Sequence, residues 1–293
     1  MNARDIFRLM RPRQWTKNLA VFAAIVFSGR LFDLSTLGTV TLAFVALCLV
    51  ASGQYALNDA LDADKDRLHP LKRDRPVAGG RISRPVALGI AAALVAAGLA
   101  LSTWLSARFL AVVVGYVVLQ VLYAMWLKNV SIVDMLSIAA GFVLRAAAGA
   151  LVISVPVSPW LVLCSGLLAL FLAAAKRRNE VVLLGLSAAT HRPVLAEYSA
   201  ELLDSFMVTL SAATVTSYAL YTFFETRAPA NSMMLTIPFV IYGVLRYQYL
   251  VLRKEGGGRP EDVLLGDRPM LLDIALWAGS AVVALYALPG WIS

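Results

Sequence analysis

The sequence predicts an all-α polytopic membrane protein with nine transmembrane helices in one domain, residues 1–293. Hydrophobic side chains make up 60% of the 293 residues and charged side chains only 15%, whereas an average soluble domain has about 45–50% and about 25%. The mean hydropathy is +0.75. Both cysteines, Cys48 and Cys164, lie inside apolar runs, which excludes a disulfide scaffold. These values also exclude a disordered chain, a coiled coil and an ordinary cytosolic enzyme.

Each predicted span is an apolar run close to the length of about 20 residues that crosses a bilayer as a helix. The nine runs cover residues 15–33, 36–57, 84–105, 109–127, 130–153, 159–176, 203–224, 232–252 and 270–289. The first has the shortest uncharged stretch, because only twelve residues separate Lys17 from Arg30. We expect its charged ends to extend to the membrane interface.

The basic residues predict the orientation of these spans. Of the 26 Lys and Arg residues, 21 lie in the N-terminal tail or in the loops that the nine spans place on the same side. The positive-inside rule assigns that side to the cytoplasm, with the N-terminus inside and the C-terminus outside the cytoplasmic (inner) membrane. The net charge of +8 is largely this asymmetry, so nucleic acid is not an expected partner.

Fourteen of the 18 acidic residues lie at or beside the same face. Acidic residues contribute little to orientation, so their concentration needs another cause. A polar reaction chamber that opens to the cytoplasm would supply one.

The densest acidic segment follows the second span and contains Asn58, Asp59, Asp62 and Asp66. In a continuous helix of about 100° per residue, Asp59 and Asp66 lie within about 20° of each other and Asp62 about 60° to one side, while Asp64 points away. Carboxylates this close repel unless a cation lies among them. Mg²⁺ suits one or two carboxylates together with substrate phosphates. The four residues are therefore predicted metal ligands; the alternative is a solubilising helix end.

A basic loop follows directly, with Lys72, Arg73 and Arg75 placed before Gly79 and Gly80. Arginine offers a planar fork that matches phosphate, and lysine offers a point charge. A membrane-anchoring loop would explain the cations but not the neighbouring carboxylates. The two segments together predict a metal–phosphate site.

These motifs resemble those of the UbiA-type intramembrane prenyltransferase superfamily, whose first aspartate-rich motif reads as residues 58–66 do here. The resemblance implies a UbiA-like helical barrel with cytoplasmic cap loops, and a motif that binds Mg²⁺ and a diphosphate. Residues 11–18, 69–76, 176–180 and 260–268 resemble the branch that transfers phosphoribose onto a polyprenyl phosphate.

One departure from the wider superfamily follows the sixth span, where a second aspartate-rich motif would stand. Here Lys176, Arg177 and Arg178 precede Glu180, so one acid accompanies three cations. This composition suits a reaction with several phosphates, as phosphoribosyl diphosphate and a lipid phosphate would bring. Taken alone, the three cations are more typical of a stop-transfer cluster.

The resemblance implies Mg²⁺-dependent transfer of 5-phosphoribose from phosphoribosyl diphosphate to a polyprenyl (decaprenyl) phosphate, with release of diphosphate. It further implies a step towards arabinofuranosyl lipid donors for cell-envelope glycans. One alternative is a prenyltransferase that joins a polyprenyl diphosphate to an aromatic acceptor. Such an enzyme is expected to have the second aspartate-rich motif. Another is a transporter for lipid phosphates or anions, which would predict charges at mid-membrane. The sequence leaves open the lipid chain length and whether the chain forms a homo-oligomer.

The candidate residues fall into three sets. The expected catalytic residues are Asp59, Asp62, Asp66 and Glu180. The expected ligands of substrate phosphates are Lys17, Lys72, Arg73, Arg75, Lys176 and Arg177. The resemblance adds Arg11, Asn18, Tyr198, Asp262 and Arg268 as further site candidates. Arg246, a charge near the cytoplasmic end of the eighth span, is another, with extension of its side chain to the interface as the alternative.

Charged residues inside the predicted spans are costly in lipid. We therefore expect Arg145 to face the protein interior or the membrane interface, and Asp134 to pair with Lys128, the nearest cation along the chain.

Overall fold

A computed structural model describes residues 2–68, 72–184, 193–225, 228, 231–253, 262–263 and 266–287. Its contacts group the chain into two compact units. The first contains Met1–Ile25, Leu31–Ala124 and Leu144–Pro156, and the second contains Val26–Arg30, Met125–Val143 and Val157–Ser293. The two units are described separately below, and the single domain expected from the sequence stays a prediction.

The regular elements of the described residues are helical. The α-helices are α1 (Ala3–Met10), α2 (Ala23–Phe27), α3 (Leu34–Leu61), α4 (Ala63–Leu68), α5 (Arg84–Leu105), α6 (Ala107–Met125), α7 (Val133–Val152), α8 (Pro159–Leu184), α9 (Ala200–Phe224), α10 (Ile237–Arg253) and α11 (Arg268–Val282). Four 3₁₀ segments cover Pro12–Phe22, Leu127–Asn129, Pro193–Glu197 and Ser232–Thr236, and a π-helical turn covers Val283–Ala287. The predicted all-α class is confirmed.

Eight helices of the described chain are long and apolar enough to cross a membrane, which is the pattern of an integral membrane protein. They correspond to the second through ninth predicted spans. The first predicted span, residues 15–33, is not a single long helix. It forms a 3₁₀ helix of eleven residues followed by the five residues of α2, so the count of nine spans is not confirmed.

The first segment nevertheless has the reach of a membrane crossing. A 3₁₀ helix rises about 2.0 Å per residue and an α-helix about 1.5 Å, so Pro12–Phe27 covers roughly 30 Å. That length is close to the thickness of a hydrocarbon core. The 3₁₀ conformation therefore gives this short apolar run the length of the span that the sequence predicts.

Helix α3 carries the acidic segment because it is longer than a bilayer requires. Its 28 residues extend about 42 Å, against about 30 Å of hydrocarbon, so roughly two of its turns can project beyond the apolar layer. Helix α5 packs closely against α3 at two glycines. A Cβ at Gly98 would lie 2.9 Å from the Ala46 carbonyl oxygen, and one at Gly53 would lie 2.8 Å from that of Ala91. Small residues allow this close approach of membrane helices.

The N-terminal 3₁₀ segment is bonded to α3 along its length. Trp15 Nε1 donates to Ser52 Oγ at 3.0 Å, and Ser52 Oγ donates to the carbonyl oxygen of Met10 at 3.0 Å. One turn earlier on α3, Cys48 Sγ accepts a hydrogen bond from Asn18 Nδ2 at 3.2 Å. These bonds hold the residues that precede the 3₁₀ segment beside the C-terminal end of α3.

In the second unit, α8 plays the role that α3 plays in the first. Its 26 residues extend about 39 Å, again beyond the apolar thickness, and its C-terminal turns carry the basic cluster. Arg178 Nε donates to Asp204 Oδ1 at 2.7 Å, which joins α8 to α9. About two turns earlier on α8, Phe171 packs in a buried cluster with Leu203, Met207 and residues of α10.

Candidate functional site

The acidic segment does not form the continuous helix that the sequence predicts. Helix α3 ends at Leu61, Asp62 has φ −90° and ψ 4°, and α4 begins at Ala63. The interruption at Asp62 replaces the single helix with two, although the backbone bonds from Asp62 N to the Asn58 carbonyl oxygen and from Asp66 N to the Asp62 carbonyl oxygen, both 2.9 Å, keep the helical spacing; the common face of the three carboxylates stays a prediction. The pair of acids predicted to be nearest to each other is brought together nonetheless, by a shared arginine.

Arg75 joins the two buried acids of the segment. Its Nη1 lies 3.1 Å from Asp59 Oδ1 and 2.6 Å from Asp66 Oδ2. Asp59 and Asp66 are 1% and 4% exposed, so their carboxylates require pairing or hydrogen bonding. The basic loop therefore touches the acidic segment, as the adjacency of the two motifs in the sequence predicts.

Arg11 is the second cation at Asp59. Its Nη2 pairs with Asp59 Oδ1, and its guanidinium lies 5.2 Å from the ring centre of Tyr55. Arg11 has φ +51° at the junction of α1 and the 3₁₀ segment. Burial lowers the pKa of Arg11, and the charge of Asp59 opposes that shift. The cation that the sequence requires among the acids is supplied in this structure by two guanidinium groups.

Asp62 and Asp64 differ from that buried pair. Asp62 is half-buried, and its side-chain carboxylate makes no hydrogen bond or ion pair with another side chain that the structure describes, although its backbone N–H donates to the Asn58 carbonyl oxygen at 2.9 Å. Asp64 is exposed and pairs with Arg84 and Arg67. The hydrogen bond from Arg84 holds the pKa of Asp64 below its ordinary value. The prediction that Asp64 points away from the other acids is confirmed.

The basic loop presents its three cations differently. A turn in which Arg75 N donates to the Lys72 carbonyl oxygen at 2.9 Å directs Arg75 to the acids. Arg73 is exposed and Lys72 is half-buried. His69, at the start of this segment, lies outside the described residues. Arg73 is therefore closer to solvent than Arg75, which is half-buried as Lys72 is.

The acidic segment fits a divalent metal by the chemistry of its donors. Asn58, Asp59, Asp62 and Asp66 offer oxygen atoms only, which suits a hard cation. Within the described ranges, no three His, Cys, Asp or Glu side chains converge as a ready metal cage. Mg²⁺ is commonly held by one or two carboxylates, with substrate phosphates and waters completing the coordination. These four residues are able to supply the protein ligands of such a metal.

A second charged cluster lies at the end of α8 and is centred on Arg177, whose side chain is fully buried. Its Nε donates to Asp134 Oδ2 at 2.5 Å, and its Nη1 donates to Glu180 Oε2 at 2.5 Å. The expected pair of Asp134 with Lys128 is wrong. The structure pairs Asp134 with Arg177, because a buried carboxylate at the start of α7 is adjacent in space to α8.

Tyr198 completes this cluster from the segment before α9. Its hydroxyl donates to Asp134 Oδ1 at 2.8 Å and accepts the backbone N–H of Ile132 at 2.5 Å. Ile132 has φ +67°, a left-handed conformation that is a genuine outlier for a β-branched residue. Burial raises the pKa of Tyr198 to about 12, so the phenol keeps its proton and remains a hydrogen-bond donor at physiological pH.

The other expected phosphate ligands have ordinary side-chain partners. Lys176 Nζ lies 3.9 Å from Glu180 Oε1, and both side chains are partly exposed. Lys17 Nζ donates to Gln14 Oε1 at 2.5 Å. Their roles stay predictions, as do those of Lys72 and Arg73.

The remaining candidates are dispersed. Arg246 forms a bidentate pair with Asp267, at 3.1 and 2.9 Å. Asp267 is also the residue that caps the start of α11. Asp262 and Arg268 are exposed. Asn18 is buried, and its Oδ1 accepts a hydrogen bond from Arg145 Nε at 2.8 Å.

Of the two locations expected for Arg145, the structure selects the protein interior, since the residue is 5% exposed. Its Nη2 donates to Tyr116 OH at 2.6 Å, and its guanidinium lies over the Tyr116 ring at 4.5 Å. Sequence reasoning did not find Tyr116 and placed Asp134 with the wrong partner. The available signal was that an ionisable side chain inside an apolar run needs a partner from another helix.

Comparison with known proteins agrees with this architecture. Residues 19–196 match the model of the UbiA prenyltransferase family. The decaprenyl-phosphate phosphoribosyltransferase of Mycolicibacterium smegmatis is 37% identical over 96% of this chain and 92% of that protein. Its namesake from Corynebacterium glutamicum is 35% identical over 98% of this chain and 88% of that protein.

Solved structures share the fold. A UbiA homologue from Archaeoglobus fulgidus, bound to GPP and Mg²⁺, has a TM-score of 0.74 and 21% sequence identity, covering 96% of this chain and 99% of the homologue. A digeranylgeranylglyceryl phosphate synthase has a TM-score of 0.67 and 17% identity, covering 97% and 99%.

The helices and the acidic segment thus define an intramembrane transferase fold. This chain belongs to the UbiA prenyltransferase family.

Proposed function

We propose that this protein transfers 5-phosphoribose from phosphoribosyl diphosphate to a polyprenyl phosphate, such as decaprenyl phosphate, and releases diphosphate. The contact between the acidic segment and the basic loop carries the proposal, since Arg75 touches both Asp59 and Asp66. Carboxylates that suit a metal and a cation that suits a phosphate therefore lie in direct contact. Support also comes from near full-length similarity to relatives that bear this activity in their names.

In this proposal, the acidic segment would hold a divalent metal, Mg²⁺, where the diphosphate of the donor binds. When bound, the metal neutralises charge that develops on the leaving diphosphate. The four polar residues of the acidic segment orient the leaving diphosphate; they are Asn58, Asp59, Asp62 and Asp66. Arg11 and Arg75 can exchange carboxylate oxygens for phosphate oxygens, since both kinds of oxygen match the guanidinium fork. Little covalent chemistry is asked of the side chains, so positioning and electrostatics supply most of the acceleration.

The acceptor needs no strong general base in this scheme. A phosphate monoester is ionised at neutral pH, so its oxygen can attack C1 of the ribose as the bond to diphosphate breaks. Lys17, Lys72, Arg73 and Lys176 are proposed to bind the donor 5-phosphate and the lipid phosphate. Glu180 is proposed to orient the substrates through its partly exposed carboxylate.

A direct assay tests the proposal. Purified protein would be incubated with Mg²⁺, a polyprenyl phosphate and phosphoribosyl diphosphate labelled in the ribose. We expect label in the lipid fraction, with an equal amount of diphosphate released. Transfer from a polyprenyl diphosphate to an aromatic acid, without ribose transfer, would instead establish the prenyltransferase alternative.

Alanine substitutions in the basic loop should weaken phosphate binding. A charge-assisted hydrogen bond contributes about 1.5–3 kcal/mol, so Lys72→Ala and Arg73→Ala should each lower kcat/KM about ten- to hundredfold if they contact a phosphate. A residue that binds the donor 5-phosphate should lose little when ribose 1-diphosphate is the donor. Arg253→Ala, at the exposed end of α10, is the control. Full activity of both loop variants would assign these cations to membrane anchoring.

The orientation can be tested by labelling single cysteines in intact cells or sealed vesicles, in a background that lacks Cys48 and Cys164. A cysteine at the exposed position Arg73 should react with a membrane-impermeant maleimide only from the cytoplasmic side, as the positive-inside rule requires. A cysteine at the exposed position Asn231 should react only from outside. The reverse pattern would remove a cytoplasmic donor from the scheme.

A further inference from the structure

The cluster around Arg177 has features that a direct substrate ligand would not need. The Arg177 and Asp134 side chains have no exposed surface, whereas the side chain of Glu180 is 27% exposed. A fully buried guanidinium is not available to a phosphate that arrives from solvent. Glu180 is the member of this chain of contacts that a substrate can reach.

The bonding divides the two oxygens of Asp134 between two partners. Oδ2 accepts from Arg177 Nε and Oδ1 accepts from Tyr198 OH, so the carboxylate cannot rotate without losing a bond. The second branch of the Arg177 fork is thereby aimed at Glu180 Oε2. Arg177 thus pairs with Asp134 and Glu180 at once, and the other oxygen of Glu180, Oε1, lies 3.9 Å from Lys176 Nζ.

Three separate segments meet at these side chains. Asp134 opens α7, Arg177 and Glu180 lie on the last turns of α8, and Tyr198 follows the 3₁₀ helix Pro193–Glu197. Tyr198 also holds the backbone of Ile132 in its left-handed conformation. Backbone conformations of this kind cost of order 1–3 kcal/mol and persist where surrounding contacts maintain them.

We infer that Tyr198, Asp134 and Arg177 form a positioning chain that fixes the carboxylate of Glu180 for catalysis, and that Arg177 acts through Glu180 without touching substrate. The inference rests on the proposed function only in giving Glu180 a role in the transfer reaction. Tyr198 is then a positioning residue linked to Glu180 by three successive contacts, through Asp134 and Arg177.

A double-mutant cycle tests the chain. Tyr198→Phe removes only the hydroxyl, so the protein should fold, and a misplaced Glu180 should lower kcat roughly ten- to hundredfold, with less than about threefold change in the donor KM. In the Glu180→Gln background, the same Tyr198→Phe change should alter kcat by less than about twofold, because Tyr198 acts through the group already removed. A purely structural tyrosine would give the same fractional loss in both backgrounds.

Tyr218→Phe is the matched control. Tyr218 is buried in the same unit and its hydroxyl bonds with Thr236 and Trp277, but none of these side chains contacts Glu180. Its loss should leave kcat within about twofold. Unchanged kcat in Tyr198→Phe, or equal losses in both backgrounds, would overturn the positioning chain. The cycle applies to whichever transfer activity the wild-type protein shows, so failure of the phosphoribosyl assignment gives a different result from failure of this inference.

Discussion

Asp62→Asn should reduce kcat by about a hundred- to a few thousandfold while the protein remains folded. A bound metal supplies several kcal/mol of charge stabilisation in the transition state, and each 1.36 kcal/mol corresponds to about tenfold in rate. Asp62 is the acid of the segment without a bond to another described side chain, so the amide leaves no broken ion pair behind. Steady-state rates over a range of Mg²⁺ concentrations would measure the loss.

Asp64→Asn is the control for charge alone. It removes the same charge two residues away, but Asp64 is exposed and faces Arg84 and Arg67, so we expect less than about threefold change, in line with a surface pair of small energy. Asp59→Asn should also abolish turnover, but it additionally deprives Arg11 and Arg75 of a partner. Equal losses for Asp62 and Asp64 would contradict a metal site built from this segment.

Arg177→Ala should lower the free energy of unfolding by about 3–5 kcal/mol, the cost of leaving a buried charge without its partner. Asp134 would keep the hydroxyl of Tyr198 but lose the guanidinium with which it pairs, in a site without solvent exposure. Denaturant titration of the purified protein in micelles would measure the change. The effect is large because both members of the ion pair are fully buried.

Arg178→Ala provides the comparison on the same helix. Its partner Asp204 has a side chain that is 39% exposed, and exposed pairs contribute about 0–1 kcal/mol. The double variant Arg177→Met with Asp134→Leu should recover much of the lost stability, because removing both charges leaves no unpaired ion. Similar destabilisation by Arg177→Ala and Arg178→Ala would show that burial does not govern this pair.

Membrane class, helix positions and the acidic segment were predictable because they depend on local composition. A run of about 20 apolar residues forms a helix in lipid whatever surrounds it, since its backbone groups must bond internally. Eight spans therefore appear close to their expected bounds. The first segment escaped this reasoning because Pro12–Phe22 winds as a 3₁₀ helix, and apolar content does not distinguish 3₁₀ from α.

The sequence by itself determined that acids and cations meet near Asp59, because Asp59, Asp66 and Arg75 stand within one short stretch of chain. Tertiary structure alone decided that Arg11 reaches Asp59 across 48 positions and that Arg177 reaches Asp134 across 43. Such partners depend on which helices pack together, and composition contains no information about that choice. The same limit explains why Arg177 reads as an exposed phosphate ligand in the sequence, whereas burial between α7 and α8 makes it part of the protein interior.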